Sequence, residues 1–403
     1  MQQEKSSGIP WPILGTAWLV NFAMWAPTFC IPPMEHILKA ELLLTHAQAS
    51  LLFSAPWLMM AIAAIPAGLI ADRMGVRKAA GIGIIIMVIG ALLRSTATSA
   101  SSLLVFTFIY GLGIGWTFPN LPKLVSAWAP REKAGMAMGI FTTGILAGAA
   151  LSMAITMPLI FPITNTFQGI FLIWSIPPIA AAILWWALVR EPPRNNLHDK
   201  PVSSSKDLFI KVLRNKYLWL AAVILLLNEF FFSTWMGWAP ALLMLKGATP
   251  DKAGLLTSIA LWIGIPTVLL MPRLAYKLGV RKPFIWLPSI IIAIVAWGAI
   301  YTDLSLMWLP IVLVGIADST RIVILLALPV ELMPEEEVGT ASGLILSIGY
   351  LGGVIGPLIG GRIYDLTGSL DQSLIVLSGV TIALAVIAFK LPETGNKAKV
   401  KPP

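Results

Sequence analysis

Two apolar stretches of this 403-residue chain carry charge where charge is expensive. "LLLNEFFFSTW" (Leu225–Trp235) holds Asn228 and Glu229, and "GIADSTRIVIL" (Gly315–Leu325) holds Asp318 and Arg321. An ionised side chain at the middle of a bilayer costs at least about 2.5–3.5 kcal/mol on insertion scales, so such residues are as a rule paired and functional. Asp318 and Arg321 are three residues apart, share a helix face and can pair with each other. Two uses stay open: a closed ion pair with no ligand, or an Arg321 guanidinium fork presented to an anionic oxygen group. A carboxyl group held away from water takes up a proton more readily than one in water, which makes Glu229 and Asp318 the candidate proton-coupling residues. One base stands against two acids. With both acids ionised the site repels an anion, and with one or both protonated it admits one. That arithmetic fits proton-coupled anion symport, and equally the export of a cation in exchange for protons.

The elements that carry these residues are set by composition. Hydrophobic residues make up 57% of the chain and charged residues 12%, with a mean hydropathy of +0.84. A water-soluble domain carries about 25% charged residues, so the solvent of this chain is lipid. A bilayer core about 30 Å thick takes about 20 apolar residues per helix. Twelve runs qualify: 11–33, 48–71, 79–98, 101–124, 134–160, 166–189, 217–245, 253–275, 283–301, 305–330, 340–363 and 372–391. The expected fold is an all-α integral membrane protein, twelve transmembrane helices arranged as two pseudo-symmetric six-helix bundles. Its units are residues 1–189, a cytoplasmic linker 190–216, and residues 217–403. The first run is too long for a signal peptide and has no small-residue cleavage pattern after it. With one cysteine, Cys30, an intrachain disulfide is excluded.

Charge placement orients the spans. With both termini on the cytoplasmic side, 22 of the 28 Lys and Arg residues fall inside, and Lys39, Arg94, Lys246, Lys252 and Arg362 fall outside, as the positive-inside rule asks. The expected location is the plasma (inner) membrane. The net charge of +9 thus faces anionic lipid headgroups rather than nucleic acid. In the linker, "KDLFIKVLRNK" (Lys206–Lys216) puts Leu208, Phe209, Val212 and Leu213 on one face, a short helix expected to lie on the membrane surface.

The two halves are copies. "GLIADRMGVRK" (Gly68–Lys78) returns as "AYKLGVRK" (Ala275–Lys282), with Gly75 and Lys78 matched at a shift of 204 residues. "PREKAGMAMG" (Pro130–Gly139) returns as "PEEEVGTASG" (Pro334–Gly343) at the same shift. Both halves begin on the same side, so they are parallel repeats about an axis along the membrane normal.

The first of these stretches resembles the signature between helices 2 and 3 of the major facilitator superfamily of transporters, through Gly68, Asp72, Arg73, Gly75, Arg77 and Lys78; one basic position of the pattern is Val76 here. "REPPR" after span 6 and "LPETG" after span 12 are similar to sugar-porter motifs. "GALLRSTATSASSLLVFTFIYGLGIGWTFPNLPKLVSAW" is similar to the cyanate-permease and small-anion group, carried by Gly111, Gly113, Gly115, Pro122 and Lys123. The nitrate transporters of the superfamily place an arginine in span 2, where Gln48–Ala71 has none. The resemblance implies alternating access about a midplane site, with Gly68, Asp72, Arg73, Gly75, Arg77 and Lys78 as the gating motif that helps latch the halves. Gly68 admits a close neighbour, and Asp72 can pair with a base or cap a neighbouring helix. Tyr276 stands where the second copy would carry Asp72.

The resemblance also implies that spans 1, 4, 7 and 10 line the cavity. On them Arg321, Asn228, Asn21, Trp25, Tyr110, Trp116 and Asn120 are the candidate substrate-binding residues. Lys123 and Arg94 are expected as anchors at the membrane edges. Gly139, Gly144 and Gly148 in span 5, and "GYLGGVIGPLIGG" (Gly349–Gly361) in span 11, are expected to pack the halves together.

The function expected is secondary transport of a small organic or inorganic anion, with a small-molecule substrate, protons and membrane lipid as partners, a monomer as the working unit, and no cofactor, metal or nucleic acid. The competing reading is a proton-coupled exporter of hydrophobic cations or drugs, which an arginine at the site disfavours. An intramembrane enzyme is the third. There is no paired-histidine metal motif; His36, His46 and His198 fall in expected loops, and no nucleophile motif is evident.

Overall fold

Hydrocarbon has no water to satisfy backbone N–H and C=O groups, so each apolar run closes its own hydrogen bonds as a helix. The computed structural model of the protein describes residues 11–130, 133–191, 213–333 and 338–395. These form helices and short connections, with no strand among the described residues. Among the described residues, twelve helical spans are long and apolar enough to cross a membrane. The principal helices are α1 (Trp11–Phe29), α2 (His46–Met74), α3 (Val76–Arg94), α4 (Ala100–Thr117), α5 (Ala134–Ile155), α6 (Ile176–Leu188), α7 (Lys216–Leu245), α8 (Pro250–Leu278), α9 (Pro283–Tyr301), α10 (Trp308–Leu325), α11 (Val338–Thr367) and α12 (Asp371–Ala388). Shorter helices, among them Glu35–Leu42, Asn120–Trp128 and Phe167–Trp174, extend or precede them.

The ends differ from the expected limits for local reasons. α2 begins at His46 because Thr45 and Gln48 form a reciprocal capping box, each side chain accepting from the other's backbone N–H. α1 stops at Phe29, ahead of Pro32 and Pro33; a 3₁₀ turn follows, and the helix Glu35–Leu42 ends where Leu43 takes a left-handed φ of 52°. Pro158 has no N–H to donate, and the chain passes it in a π turn, Thr156–Ile160, at the end of α5. His36 and His46, expected in loops, are helical; His198 lies outside the described residues. So does most of the expected surface helix Lys206–Lys216.

Packing follows the duplication. Within the first half α1 packs on α5, and α3 on α4; within the second α7 packs on α11, and α9 on α10 and α12. Across the halves α2 meets α11 and α5 meets α8, the pairs that a shift of 204 residues exchanges. The glycine-rich faces do more inside the halves than between them, a correction to the sequence reading. A Cβ on Gly144 or Gly148 would lie 2.5 Å from a backbone oxygen of α1, and one on Gly352 would lie 1.9 Å from the Leu226 oxygen of α7. Only some faces look across the seam: Gly139 meets Leu269, Gly353 meets Trp57, and Gly361 meets Ala47 and Ser50. The three glycines of α4 serve α2 and α3, with Gly115 on the Met59 oxygen and Gly113 on Met87.

Gly352→Ala forces α7 and α11 apart and is expected to lower stability by about 1–3 kcal/mol. Gly298→Ala, where no atom lies within 4 Å of the added carbon, is expected to leave it unchanged or slightly raised. Melting of the detergent-solubilised protein compares the two; equal melting temperatures would show that the close approach is not needed.

Candidate functional site

A cavity of about 970 Å³ lies between the halves. α1 and α2 bring Trp25, Phe29 and Trp57 to its wall, α7 brings Glu229, α10 brings Asp318, and α11 brings Tyr350. The wall continues to Arg273, Tyr276 and Arg281 at one end of the bundle, where Tyr276 is 67% exposed. This is the end that bears the two basic turns Gly75–Lys78 and Gly279–Lys282, called the basic end below.

The intramembrane charges meet, but not as a fork open to a ligand. Arg321 Nη2 donates to Asp318 Oδ1 at 2.8 Å. Arg321 Nη1 donates to Ser289 Oγ on α9 at 3.3 Å, and the guanidinium lies 5.6 Å from the Phe231 ring centre. Arg321 is fully buried and is not among the cavity-lining residues, whereas Asp318 is. The carboxylate stands between the guanidinium and the cavity. Glu229, 6% exposed, accepts a hydrogen bond from Trp57 Nε1 at 3.2 Å. That bond joins the two halves, and its partners are 172 positions apart.

The remaining expected residues divide. Trp25 lies in the cavity wall, its ring 5.0 Å from Trp57 and 6.4 Å from Phe118. Asn228 is fully buried on α7, next to Glu229 in the chain. Asn21 is buried between helices and donates to the Phe141 carbonyl on α5 at 3.0 Å. Asn120 donates to the carbonyls of Trp116 and Ala67. Neither Trp116 nor Tyr110 is among the cavity-lining residues. Pro27 cannot donate to the Ala23 carbonyl, and the Tyr110 hydroxyl lies 3.2 Å from that oxygen and 2.5 Å from Met24 O. Arg94, expected as an edge anchor, is fully buried instead: Nη1 donates to the Pro27 carbonyl at 2.9 Å, and the guanidinium sits 4.0 Å from the Phe171 ring centre. Tyr110 thus meets the carbonyl that the proline leaves open, and Arg94 meets the Pro27 carbonyl, which has no i+4 donor because Ile31 N–H turns to Thr28 at the end of α1.

At the basic end the repeated motif makes its contacts within each half. Gly75 joins α2 to α3 with φ at 92°, and a Cβ there would overlap the Glu191 carboxylate. Glu191 accepts from the N–H groups of Val76 at 2.7 Å and Arg77 at 3.1 Å, capping α3 at its positive end. Arg77 also donates to the Trp186 carbonyl at 3.0 Å. The second half repeats the device: Glu393 accepts from Arg281 N at 2.6 Å and Lys282 N at 3.2 Å. Both glutamates belong to the "REPPR" and "LPETG" segments, whose structural use the sequence alone did not disclose. Gly68 faces Lys123 within the first half, Arg73 and Lys78 are exposed, and the side chain of Asp72 lies outside the described residues.

The opposite end is closed by contacts between the halves. The Asp365 carboxylate, at the C-terminal end of α11, accepts from the backbone N–H groups of His46 and Ala47, each at 3.1 Å, and so caps α2 of the other half. The His46 ring stacks on Tyr364 at 4.3 Å and lies parallel to Trp238 at 5.6 Å, and Lys39 contacts the ring nitrogens of His46. The sequence reading missed this latch. Its one signal was an acid at a helix C-terminus, where the helix's own field is unfavourable and a partner has to come from elsewhere.

The family model of the Major Facilitator Superfamily matches residues 17–249 and 241–403. The uncharacterized transporter YycB of Bacillus subtilis (strain 168) is 26% identical, over 93% of this chain and 91% of its own. The 2-nitroimidazole transporter of Escherichia coli (strain K12) is 25% identical over 88% of each chain. Relatives at 21–26% identity carry the names hexuronate, D-galactonate, cyanate, gentisate and gallate transporter. The crystal structure of a D-xylose–proton symporter shares the fold, with a TM-score of 0.80 at 17% identity over 96% of this chain and 99% of that one.

Asp365→Ala removes the cap on α2 and is expected to let the end opposite the basic turns open. A cysteine at Thr142, in the cavity wall, then gains labelling several-fold by an impermeant thiol reagent added from that side. The native Cys30 is buried and contributes little background. Unaltered labelling from both sides would count against the latch.

Proposed function

The chain belongs to the major facilitator superfamily of membrane transporters, and on that premise we propose that it moves a small organic anion by alternating access, coupled to protons taken up at Asp318 and Glu229. It is an integral membrane protein and not an enzyme. The observation that carries the reading is the order of charges: Arg321 behind, Asp318 in front, cavity beyond. With Asp318 ionised, the pair is neutral and an anion gains nothing from it. With Asp318 protonated, a guanidinium at membrane depth is left without its counter-charge, and an entering anion supplies one. Proton and anion therefore favour each other's binding, and by linkage the favour is mutual. Several relatives are named for organic acids, which supports the same substrate class.

Glu229 adds the link to motion. Its bond to Trp57 crosses the seam, so a change in its protonation changes what holds the halves together at the cavity. In this reading residues 1–189 and 217–403 are the rocking units and 190–216 the tether. Trp25 contacts substrate, Asn228 backs Glu229 from inside the bundle, and Asn21, Asn120, Trp116 and Tyr110 shape the helices that bear the site. The motif Gly68, Asp72, Arg73, Gly75, Arg77 and Lys78 sits at the cytoplasmic gate of an inner-membrane monomer with both termini inside, and Arg77 and Lys78 face lipid headgroups.

The export of lipophilic cations is the second reading. The observation that favours it is that Arg321 is screened while two carboxyl groups face a largely apolar wall.

Asp318→Asn separates the two. For a coupled anion carrier the substitution holds Arg321 permanently uncompensated. Anion binding should then persist and lose the part of its pH dependence that Asp318 supplies, leaving only that of Glu229, and the response of uptake into proteoliposomes to a pH gradient should fall accordingly. Arg321→Ala should weaken anion binding at least about tenfold. Stabilisation by lipophilic cations that survives Arg321→Ala, with no response to any organic acid, would sink the anion reading.

A further inference from the structure

Building on the anion reading, we infer that the substrate is a planar aromatic acid rather than a polyhydroxylated sugar acid. The inference rests on what the cavity wall offers besides charge. Tyr350 lies 6.1 Å from Phe118, Phe118 6.4 Å from Trp25, and Trp25 5.0 Å from Trp57, centre to centre. These four rings form one continuous arc in the wall. It runs from α11 of one half through α1 and α2 of the other, and ends where Trp57 donates to Glu229. Phe29, 6.2 Å from Trp57, and Phe232, 6.3 Å from Phe29, extend it.

A sugar acid brings several hydroxyl groups, each of which needs a partner once it leaves water. Away from the exposed mouth the wall has few to offer. Thr142 lines the cavity, but its hydroxyl already donates to the Met138 carbonyl and can only accept. Ser319 and Tyr350 remain, beside Asp318 and Glu229. A flat ring asks for much less. Its faces and edges are met by aromatic side chains in stacked or edge-to-face contact, and its acid group needs a single charged locus. The residues Asp318 and Ser319 on α10 supply that locus, with Arg321 behind Asp318. A cavity of about 970 Å³ holds one such molecule and the water that accompanies it.

The test uses the full-length protein in detergent and in proteoliposomes, with 2,5-dihydroxybenzoate and unsubstituted benzoate as aromatic acids, D-galactonate as sugar acid and tetraphenylphosphonium as lipophilic cation. Thermal stabilisation gives the affinities. The benzoates are expected to bind, and Trp25→Ala or Phe118→Ala to weaken them roughly tenfold. Trp297→Ala, at an exposed position on α9, should have no effect. Phe118→Ala serves if Trp25→Ala does not fold. Binding of D-galactonate in preference to benzoates, lost in Arg321→Ala, overturns the aromatic inference and leaves the anion reading standing. Binding of tetraphenylphosphonium alone overturns both. The lack of any shift with either benzoate overturns the aromatic inference by itself.

Discussion

An arginine at membrane depth has to be neutralised, and the way this chain does it organises the rest. Arg321 is fully buried, and its compensation comes from Asp318, one turn back on the same helix, at 2.8 Å. A pair closed within one helix does not depend on where the other half stands. It is also fragile in one defined respect. A single proton on the carboxylate side leaves the cation uncompensated in a medium that tolerates this poorly. Ser289 and the Phe231 ring hold the guanidinium from behind and keep the carboxylate as the member of the pair that meets the cavity.

Around that pair the helices are held by close backbone approach rather than by apolar attraction, since lipid is as apolar as the side chains it would release. The glycines of α5 bring that helix onto α1, and those of α11 bring it onto α7. The seam between the units adds polar contacts to such approaches. It consists of α2 against α11 and α5 against α8, with Trp57–Glu229 near its middle and Asp365 capping α2 at one end. The seam thus combines a small number of polar contacts with close approaches at Gly139, Gly353 and Gly361.

The basic turns belong to the halves. Glu191 and Glu393 cap α3 and α9 within their own halves, so the duplicated charged turn is a fixed corner of each bundle in this state. The cavity opens beside those corners, and the latch that holds the other end shut lies at the far side of the seam. The two ends of the molecule thus use one physical device, a carboxylate on exposed N–H groups at a helix start, once within each half and once between halves.

Span number, the duplication, the side bearing the basic loops and the depth of Glu229, Asp318 and Arg321 were legible in the sequence. All of these depend on local hydropathy or on a repeat that can be matched by register. The i, i+3 relation of Asp318 and Arg321 is likewise local, and so was their pairing. What surrounds them was not legible. That Arg321 is shielded from the cavity by Asp318, that Trp57 meets Glu229, that Arg94 is a core residue bound to a carbonyl at the end of α1, and that Asp365 caps α2 are all matters of which helix faces which. Such facings arise from packing between segments 67 to 319 positions apart. A periodicity reads one helix at a time and carries no information on its neighbour, so only the tertiary structure could decide them.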